Sequence, residues 1–354
     1  MAQLPDKKLF LLDLDGTLYL DDTLFPGTLP FLQRVRERGG RVIYLTNNSS
    51  RSPQDYARRL TRLGVEAGAG DFLTSTDALI ALLRRHPPYR LCYVLGTDSF
   101  REQLRQAGIP VTCRPEEEVD CLLAGFDTEL TFQKLEDACL LLSRGVDFYA
   151  THPDWVCPTR YGAVPDCGSV CEMLTRATGR KPQEVVGKPR PDMVRLAMER
   201  AGCTPEQTLL VGDRLYTDIA CGVNAGVDTA FVLSGEGTLD QLGSSKVLPT
   251  WVVDDVGVLA GCLDTGEVPL PAQAQRERER RTSHTLRVLG YFALIMLSLA
   301  GLIGCSVAAV WLLSSVFHMA FEDVLMTGIR AGFLAWLALF LVLAILHIRK
   351  RQRQ

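Results

Sequence analysis

Lys8-Leu9-Phe10-Leu11-Leu12-Asp13-Leu14-Asp15-Gly16-Thr17-Leu18 is the stretch that decides the fold. Its run of apolar residues without polar alternation predicts a parallel strand buried on both faces, and two aspartates follow where that strand ends. Ligands of open α/β sheets bind in the crevice beyond the carboxyl ends of the strands. An ionised aspartate there needs a cation, and Gly16 and Thr17 turn the chain so that backbone N–H groups face an anion. We expect a binding site at this point; the alternative is two solvated aspartates in an ordinary turn.

The same pattern, an apolar run followed by polar residues, returns along the chain. A helix predicted over residues 28–38 lies between the first two runs, and Gly39-Gly40 ends it. Strands that alternate with helices in this way predict right-handed βαβ units and a doubly wound parallel sheet with its polar clusters on one rim. The later runs are residues 41–45 before Thr46-Asn47, 209–211 before Gly212-Asp213, 230–233 before Ser234-Gly235, and 251–253 before Asp254-Asp255.

A long insertion separates the second run from the third and has its own cycle of strands and helices. We predict strands at residues 91–95, 121–124 and 148–150 and helices at residues 98–107 and 132–143. This insertion is long enough to bury a small core of its own. We therefore predict an α/β cap domain over residues 76–182, inserted into a Rossmann-like core formed by residues 1–75 and 183–264.

Four polar clusters should meet on the rim of the predicted core sheet. Acids, a hydroxyl, an amide and a lysine together can hold a phosphoryl group and a hard divalent cation, and Mg²⁺ prefers carboxylate and carbonyl oxygens. Asp13, the backbone carbonyl of Asp15 and Asp213 are the predicted metal ligands. Taken singly, each residue also fits a structural role, such as a helix cap or a solvated loop lysine. The clusters are Asp13 with Asp15, Thr46 with Asn47, Lys188 in Gly187-Lys188-Pro189, and Asp213 with Asp218.

The order and spacing of these clusters resemble the motifs of the haloacid dehalogenase superfamily. Within it, the chain from about residue 8 to 262 is similar to the NagD-like phosphatases, whose cap is inserted between the second and third motifs. The motifs read Asp13-Leu14-Asp15-Gly16-Thr17-Leu18, Leu45-Thr46-Asn47-Asn48-Ser49, Gly187-Lys188-Pro189, and Gly212-Asp213 through Thr217-Asp218.

The resemblance implies a Mg²⁺-dependent phosphatase that works through an aspartyl-phosphate. Asp13 would be the nucleophile and Asp15 the general acid and base. The resemblance places Thr46, Asn47 and Lys188 on the phosphate oxygens. It makes Asp213 a metal ligand and gives Asp218 a supporting role, either through a metal-bound water or by orienting Lys188.

The substrate expected from the resemblance is a small phosphorylated metabolite, such as a sugar phosphate, a nucleotide or glycerol phosphate. The cap should choose among them. Thr151-His152-Pro153-Asp154 resembles an Asn-Pro-Asp turn of the family, with His152 at the asparagine position. Two other functions stay open: a phosphotransferase or mutase, and a membrane module that senses a phosphorylated ligand with little turnover.

Composition excludes some classes of protein. The formal charge of −3 provides no basic field for nucleic acid, and the 11 cysteines include no Cys-x-x-Cys pair, so we expect reduced thiols. An apolar signal sequence is not predicted at the N-terminus, because Asp13 and Asp15 interrupt the only apolar run there. The sequence leaves open whether the chain forms a homo-oligomer.

The C-terminal part changes composition. A charged linker over residues 265–287 precedes two uncharged runs, residues 288–316 and 331–348, which predict two transmembrane helices, the second rather short. The alternative is a buried helical hairpin in a soluble domain. By the positive-inside rule, the basic flanks predict a multi-pass membrane protein with both termini and the catalytic domain in the cytoplasm. The flanks contain Arg276, Arg278, Arg280, Arg281 and Arg287 on one side and Arg349, Lys350, Arg351 and Arg353 on the other.

Overall fold

The computed structural model describes residues 3–159, 162–317, 325–326 and 328–338 of the chain. The chain divides into two units, Met1–Ala272 and Gln273–Gln354. In the described part of the first unit, the main sheets are parallel and helices cover them, so the predicted fold class is confirmed.

The core sheet has six parallel strands in the order β15-β14-β13-β1-β4-β5. Leu9 and Leu11 of the central strand pack on one face, and Phe10 and Leu12 pack on the other. This strand is therefore buried on both faces, as its unbroken apolar run predicts. The strands are β1 (Leu9–Leu12), β4 (Arg41–Thr46), β5 (Phe72–Thr74), β13 (Thr208–Gly212), β14 (Asp228–Val232) and β15 (Trp251–Val253).

Helices cover both faces of the core sheet. One face packs against α1 (Thr28–Glu37), α2 (Pro53–Arg62) and α10 (Val256–Thr265). The opposite face packs against α3 (Ser75–Leu83), α7 (Asp192–Ala201) and α8 (Ala220–Ala225). Next to the last strand lies α9 (Leu239–Ser244).

The inserted region forms a second parallel sheet in the order β12-β9-β8-β6-β7. Its strands are β6 (Cys92–Leu95), β7 (Val111–Thr112), β8 (Cys121–Ala124), β9 (Asp147–Ala150) and β12 (Glu184–Val185). The helices of this cap are α4 (Asp98–Gln106) on one face and α5 (Phe132–Ser143) and α6 (Cys167–Thr178) on the other. The last strand of the cap sheet thus lies just past residue 182, where we expect the cap to end.

Two antiparallel hairpins accompany the sheets, and the periodicity of the sequence did not predict them. One pairs β2 (Tyr19–Leu20) with β3 (Thr23–Leu24), and the other pairs β10 (Val156–Thr159) with β11 (Gly162–Pro165). Both are too short to produce a clear apolar alternation.

The second unit is helical where it is described. A single helix, α11 (Ala272–Phe317), runs through most of the charged linker as well as the first apolar run, so the linker is more helical than its composition suggests. Within it, Thr285–Val316 contains an 18-residue window with a mean hydropathy of 2.3 and is the segment of the described chain long and apolar enough to cross a membrane. A shorter apolar helix, α12 (Gly328–Ala338), contains the start of the second predicted span; residues 339–348 of that span lie outside the described residues.

Candidate active site

Three neighbouring strands bring the predicted polar clusters together. In the core sheet, β1 lies between β13 and β4, and all three run in the same direction. Asp13 follows β1, Asp213 follows β13, and Thr46 ends β4. Because the carboxyl ends of parallel strands meet at one edge, these residues lie side by side at the rim that the sequence predicts.

Lys188 enters this rim from the turn after the cap sheet. Its Nζ atom lies 2.5 Å from Oδ1 of Asp13 and 2.6 Å from Oδ1 of Asp218, and it also donates to the backbone carbonyl of Leu45 at 3.2 Å. The whole residue is only 3 % exposed. The ammonium is therefore a buried cation held between two carboxylates.

Asp213 sits in a narrow space between two glycines. Its Oδ2 atom accepts a hydrogen bond from the backbone N–H of Glu236 at 2.7 Å, whereas Oδ1 has no hydrogen-bond partner among the described residues. A Cβ atom on Gly16 or on Gly235 would overlap this carboxylate. Gly16 also has a positive φ of 87°, which favours glycine. The backbone is thus shaped around one buried carboxylate.

Asn47 fixes the Lys188 turn from the opposite side. Its Oδ1 atom accepts a hydrogen bond from the backbone N–H of Lys188 at 2.7 Å, and its Nδ2 atom donates to the Lys188 carbonyl at 3.0 Å. Nδ2 also donates to both carboxylate oxygens of Asp154, at 3.1 and 3.2 Å. Thr46 lies next to it, and its hydroxyl accepts from the backbone N–H of Asn48 at 3.2 Å.

Asp15 points into the same cavity but stands apart from the other carboxylates. Its side chain is 43 % exposed, and its Oδ1 atom lies 4.0 Å from a guanidinium nitrogen of Arg59. Desolvation raises the pKa of Asp15, against the opposing charges of Arg59 and Arg214. A carboxyl group with a raised pKa in a partly open position is suited to exchange protons with a ligand.

The electrostatics of the buried cluster favour additional positive charge. Burial raises the pKa of Asp13 well above its usual range despite the attraction of Lys188, and the charges of Asp218 and Asp213 add to the rise. Burial and the charge of Asp218 raise the pKa of Asp213 to about 6. Burial alone would lower the pKa of Lys188, but Asp13 and Asp218 outweigh it and raise the pKa. One ammonium therefore does not neutralise the three carboxylates.

The donor set fits a hard divalent cation. Asp13, Asp213 and Asp218 each place one oxygen within 4.8 Å of the others, and Asp213 keeps an unpartnered buried oxygen within the described structure. Carboxylate oxygens are the ligands that Mg²⁺ and Ca²⁺ prefer. The carboxylate of Asp15 is not one of this group of three; its predicted contribution through the backbone carbonyl stays a prediction.

A cavity of about 790 Å³ opens in front of these residues, between the core and the cap. The predicted site residues Asp13, Asp15, Thr46, Asn47, Lys188 and Asp218 line it. The cap contributes residues of its hairpin, of α6 and of the loop between β8 and α5, many of them apolar, namely Phe126, Leu130, Val156, Pro158, Val164 and Met173. The cavity is large enough for a small organic molecule beside the carboxylate cluster.

Sequence reasoning missed several charged residues of this cavity. Arg59 lies on α2 and stacks over the ring of Tyr19 at 4.6 Å, and Arg214 pairs with Glu236 at 2.9 Å. Arg214 lies inside the fourth motif, between Asp213 and Asp218, and this position was the one signal that pointed to it. Nothing in the spacing of Arg59 distinguishes it from the other basic residues of an amphipathic helix.

Comparisons with known proteins agree with this geometry. The sequence profile of the haloacid dehalogenase-like hydrolases matches residues 10–110, and a HAD-hydrolase-like profile matches residues 185–259. The acid sugar phosphatase of Staphylococcus aureus is 31% identical over 249 residues, which are 70% of this chain and 95% of that protein.

Solved structures with the same fold include proteins named as phosphatases. A 4-nitrophenylphosphatase from Thermotoga maritima is 39% identical with a TM-score of 0.69, and the match covers 73% of this chain and 98% of that one. NagD from Escherichia coli K-12 is 33% identical with a TM-score of 0.65, covering 71% and 97% of the two chains. A glycerol phosphate phosphatase from Mycobacterium tuberculosis, solved with magnesium, is 29% identical with a TM-score of 0.69, covering 74% and 80%.

The match covers nearly all of the solved Thermotoga and Escherichia chains, so the matched region accounts for almost the whole of each of those folded chains. The first unit of this chain, Met1–Ala272, therefore contains a complete domain. The chain belongs to the haloacid dehalogenase-like hydrolases and, within them, to the NagD-like phosphatases, enzymes that hydrolyse phosphomonoesters.

Proposed function

We propose that this chain is a Mg²⁺-dependent phosphatase of small phosphomonoesters that is tethered to a membrane by its C-terminal helices. The observation that carries the catalytic part is the buried cluster in which Lys188 lies between Asp13 and Asp218, with Asp213 beside them, at the floor of the cavity. The cluster combines a carboxylate nucleophile with the charges that a phosphoryl group needs.

Asp13 is the nucleophile in this proposal. One of its carboxylate oxygens forms a bond to phosphorus while the bond from phosphorus to the leaving oxygen breaks, and Asp15 gives that oxygen a proton. Water then attacks the phosphorus of the aspartyl-phosphate and gives a proton to Asp15, while the bond between phosphorus and the Asp13 oxygen breaks. Inorganic phosphate leaves, and both carboxyl groups return to their starting states. The raised pKa of Asp15 supports its role as the acid of the first step.

Thr46, Asn47 and Lys188 bind the oxygens of the transferring phosphoryl group. Catalysis of phosphoryl transfer depends on positioning and positive charge, because charge spreads over the equatorial oxygens in the transition state. Mg²⁺, held by Asp13 and Asp213 with Asp218 in support, supplies a Lewis acid and positive charge when bound. The magnesium complex of the Mycobacterium relative supports the choice of this cation.

The substrate is a small phosphorylated metabolite. The names of the relatives point to sugar phosphates, glycerol phosphate and nitrophenyl phosphate for those proteins. In this chain the leaving group would lie against the cap wall that includes Leu130, Val156 and Met173. That wall favours leaving groups with an apolar face over those that are polar all round.

The catalytic proposal is tested by phosphate release from residues 1–272 over a panel of sugar, nucleotide, glycerol and aryl phosphates. We expect turnover that EDTA abolishes and Mg²⁺ restores, and that Asp13→Asn abolishes because it removes the nucleophile's charge. Asp240→Asn, an exposed aspartate on α9, is the matched control and should retain full activity. Transfer of phosphate to an added sugar in place of water would favour a phosphotransferase. A folded protein without turnover on any substrate would favour the ligand-sensing module.

The tethering part of the proposal rests on the second unit. Thr285–Val316 has 32 residues, enough for a bilayer that takes about 20 residues of helix to span. Within this unit, α12 packs closely on α11: Trp336 donates from Nε1 to the hydroxyl of Ser298 at 3.2 Å. Close packing of two apolar helices is what a membrane hairpin needs.

The basic residues on both flanks of the two apolar runs support a hairpin with both termini and the catalytic domain in the cytoplasm. Cell fractionation tests the tether: full-length protein should pellet with membranes, resist carbonate extraction and dissolve in detergent. Residues 1–272 should stay in the supernatant. Full-length protein in the detergent-free supernatant would contradict the tether without affecting the catalytic proposal.

A further inference from the structure

His152 is a buried histidine that the proposed chemistry does not use. It lies in the turn that leads from β9 to the cap hairpin and has no exposed surface. Its Nδ1 atom lies 3.4 Å from Oδ2 of Asp154, and its Nε2 atom lies 3.4 Å from Oδ1 of Asp166. Within the described structure neither nitrogen makes a hydrogen bond of good geometry, although a carboxylate lies close to each.

This arrangement fits a doubly protonated imidazole. A neutral imidazole carries one N–H and one lone pair, so one of its nitrogens would face a carboxylate oxygen with no proton between them. A metal ion in place of the proton would take one ring nitrogen and would need both carboxylates near that nitrogen. One nitrogen of His152 and one oxygen of each carboxylate do lie within 4.8 Å of one another. The 3.4 Å contacts of the two carboxylates are nevertheless to different nitrogens, which favours an imidazolium that bridges them.

The groups that surround the ring agree with a positive charge. Burial alone would lower the pKa of His152, but Asp154, Cys167 and Asp166 outweigh it and raise the pKa to about 9. Burial alone would raise the pKa of Asp154, but the close, positively charged His152 ring, with further help from Asn47 and Lys188, outweighs burial and lowers the pKa. Burial raises the pKa of Asp166 above its ordinary value, against the positive charges of His152 and Arg214.

The bridge is anchored on both sides. Asp166 is the residue before α6, and its Oδ1 atom accepts the backbone N–H of Cys167 at 2.6 Å. The carbonyl of Asp154 accepts the backbone N–H of Gly168 at 2.8 Å. The turn is therefore fastened to the first turn of α6.

Asp154 connects this cap turn to the phosphate-binding residues. Both of its carboxylate oxygens accept hydrogen bonds from Nδ2 of Asn47, and the Asn47 amide in turn holds the backbone N–H and C=O of Lys188. A chain of polar contacts therefore runs from Asp166 through His152, Asp154 and Asn47 to Lys188.

We propose that His152 is a positioning residue, whose imidazolium holds the Asp154 carboxylate on the Asn47 amide and thereby fixes Asn47 and the Lys188 turn for phosphate binding. The inference rests on the proposed role of Asn47 and extends it to a residue of the cap. His152 acts without touching the substrate.

The first test measures the protonation state of His152 directly. Residues 1–272 contain two histidines, His86 and His152, so ¹⁵N-histidine labelling gives two side-chain signals. At pH 7.5 we expect both nitrogens of His152 to carry slowly exchanging protons. A His152 signal with one unprotonated nitrogen at pH 7.5 would overturn the proposal, and this measurement needs no variant and no activity.

The second test is a double-mutant cycle on phosphate release with Mg²⁺. His152→Asn should lower kcat about tenfold and leave KM within about twofold, less than the roughly 100-fold that a 1 Å misplacement of a reacting group can cost. His86→Asn is the matched control and should change neither constant. In an Asn47→Ala background, His152→Asn should have no further effect, because the contact through which it acts is already lost.

The outcomes separate this inference from the proposed site. If Asn47→Ala does not lower turnover, the role of Asn47 in the proposed function fails. If Asn47→Ala lowers turnover and the effect of His152→Asn multiplies with it, His152 does not act through Asn47 and the inference is overturned.

Two further measurements address misfolding of His152→Asn and metal binding by His152, Asp154 and Asp166. Should His152→Asn fail to fold, Asp166→Asn removes one partner of the imidazolium and should show the same loss of kcat and the same lack of additivity. If unmodified residues 1–272 bind Zn²⁺ at His152, Asp154 and Asp166, His152→Asn will abolish the binding and Asp13→Asn will not. That result would assign these three residues to a metal site and overturn the proposal.

Discussion

Lys188 and Asp218 form a buried ion pair, with Nζ 2.6 Å from Oδ1 and both side chains almost fully enclosed. The same nitrogen also contacts Asp13, so one cation pairs with two carboxylates that lie far apart in the sequence. A buried charge that loses its partner costs far more than an exposed one, because solvent cannot replace the partner. The pair therefore links the stability of the domain to its catalytic residues.

Replacing Lys188 by Met should abolish activity and destabilise the domain. The change leaves the carboxylates of Asp13 and Asp218 without their cation, and breaking a buried pair in this way costs about 3–5 kcal/mol. Urea unfolding of residues 1–272 measures the loss. The exposed Lys181 is a matched control, since Lys181→Met should leave both activity and the free energy of unfolding nearly unchanged. Retained turnover in Lys188→Met would remove this residue from the proposed mechanism.

Adding a methyl group at Gly235 should weaken metal binding. Its Cβ atom would overlap the Asp213 carboxylate, which would have to shift away from the oxygens of Asp13 and Asp218. We expect the Mg²⁺ concentration for half-maximal activity to rise at least about tenfold, in line with the 10–100-fold cost of disturbing a metal's surroundings. Gly243→Ala is the control, because a Cβ there would meet no atom of the described chain within 4 Å. An unchanged Mg²⁺ dependence in Gly235→Ala would argue against Asp213 as a ligand.

The stability of the domain should fall at alkaline pH because of His152. Its pKa in the folded protein is about 9, above the unperturbed value of about 6.5. A group whose pKa is raised by folding stabilises the folded state. This contribution is complete at pH values below the group's pKa in the unfolded chain, and it is lost as the pH rises through the pKa in the folded protein. Denaturation of residues 1–272 between pH 6.5 and 9.5 should show a loss of up to about 3 kcal/mol.

His152→Asn supplies the comparison for that experiment. The variant lacks the titrating group, so the difference in free energy of unfolding between the two proteins should shrink as the pH approaches 9.5. A difference that stays constant over this range would mean that His152 does not carry a proton that folding stabilises.

The rim of the core sheet was predictable because it follows from topology. Parallel strands place their carboxyl ends together, so residues after three apolar runs had to meet once those runs were recognised as neighbours. Asp13, Thr46 and Asp213 therefore lie where the sequence predicts. Their distances and protonation depend on burial and on contacts between distant residues, which no local pattern contains.

The residues that escaped prediction lack a local signal. The strand Phe72–Thr74 has three residues, too few for a periodicity, and Arg59 looks like any basic residue of a surface helix. In the sequence, His152 differs from its surroundings only as a departure from a family turn. Its position between Asp154 and Asp166 depends on the packing of the cap turn against α6, which brings residues 152 and 166 together.

The packing between the two C-terminal helices should depend on glycines that face α11. A Cβ on Gly328 would overlap Val310, and one on Gly332 would overlap Ser306, so the spacing Gly-x-x-x-Gly of α12 lies directly against α11. Small residues at this spacing let helices approach closely in a bilayer, where packing replaces the hydrophobic effect as the source of association.

Gly332→Leu should therefore separate the helices. Gly304→Leu is the matched control, because Gly304 lies on α11 and a Cβ there would meet no described atom within 4 Å. The measurement is co-purification of the two helices in detergent after cleavage at a protease site inserted between residues 319 and 324. We expect the helices to stay together in the unmodified protein and in Gly304→Leu, and to separate in Gly332→Leu. Phosphatase activity should be equal in all three proteins, because the catalytic residues lie in the first unit. Helices that stay together in Gly332→Leu would show that the glycine contact does not hold the hairpin.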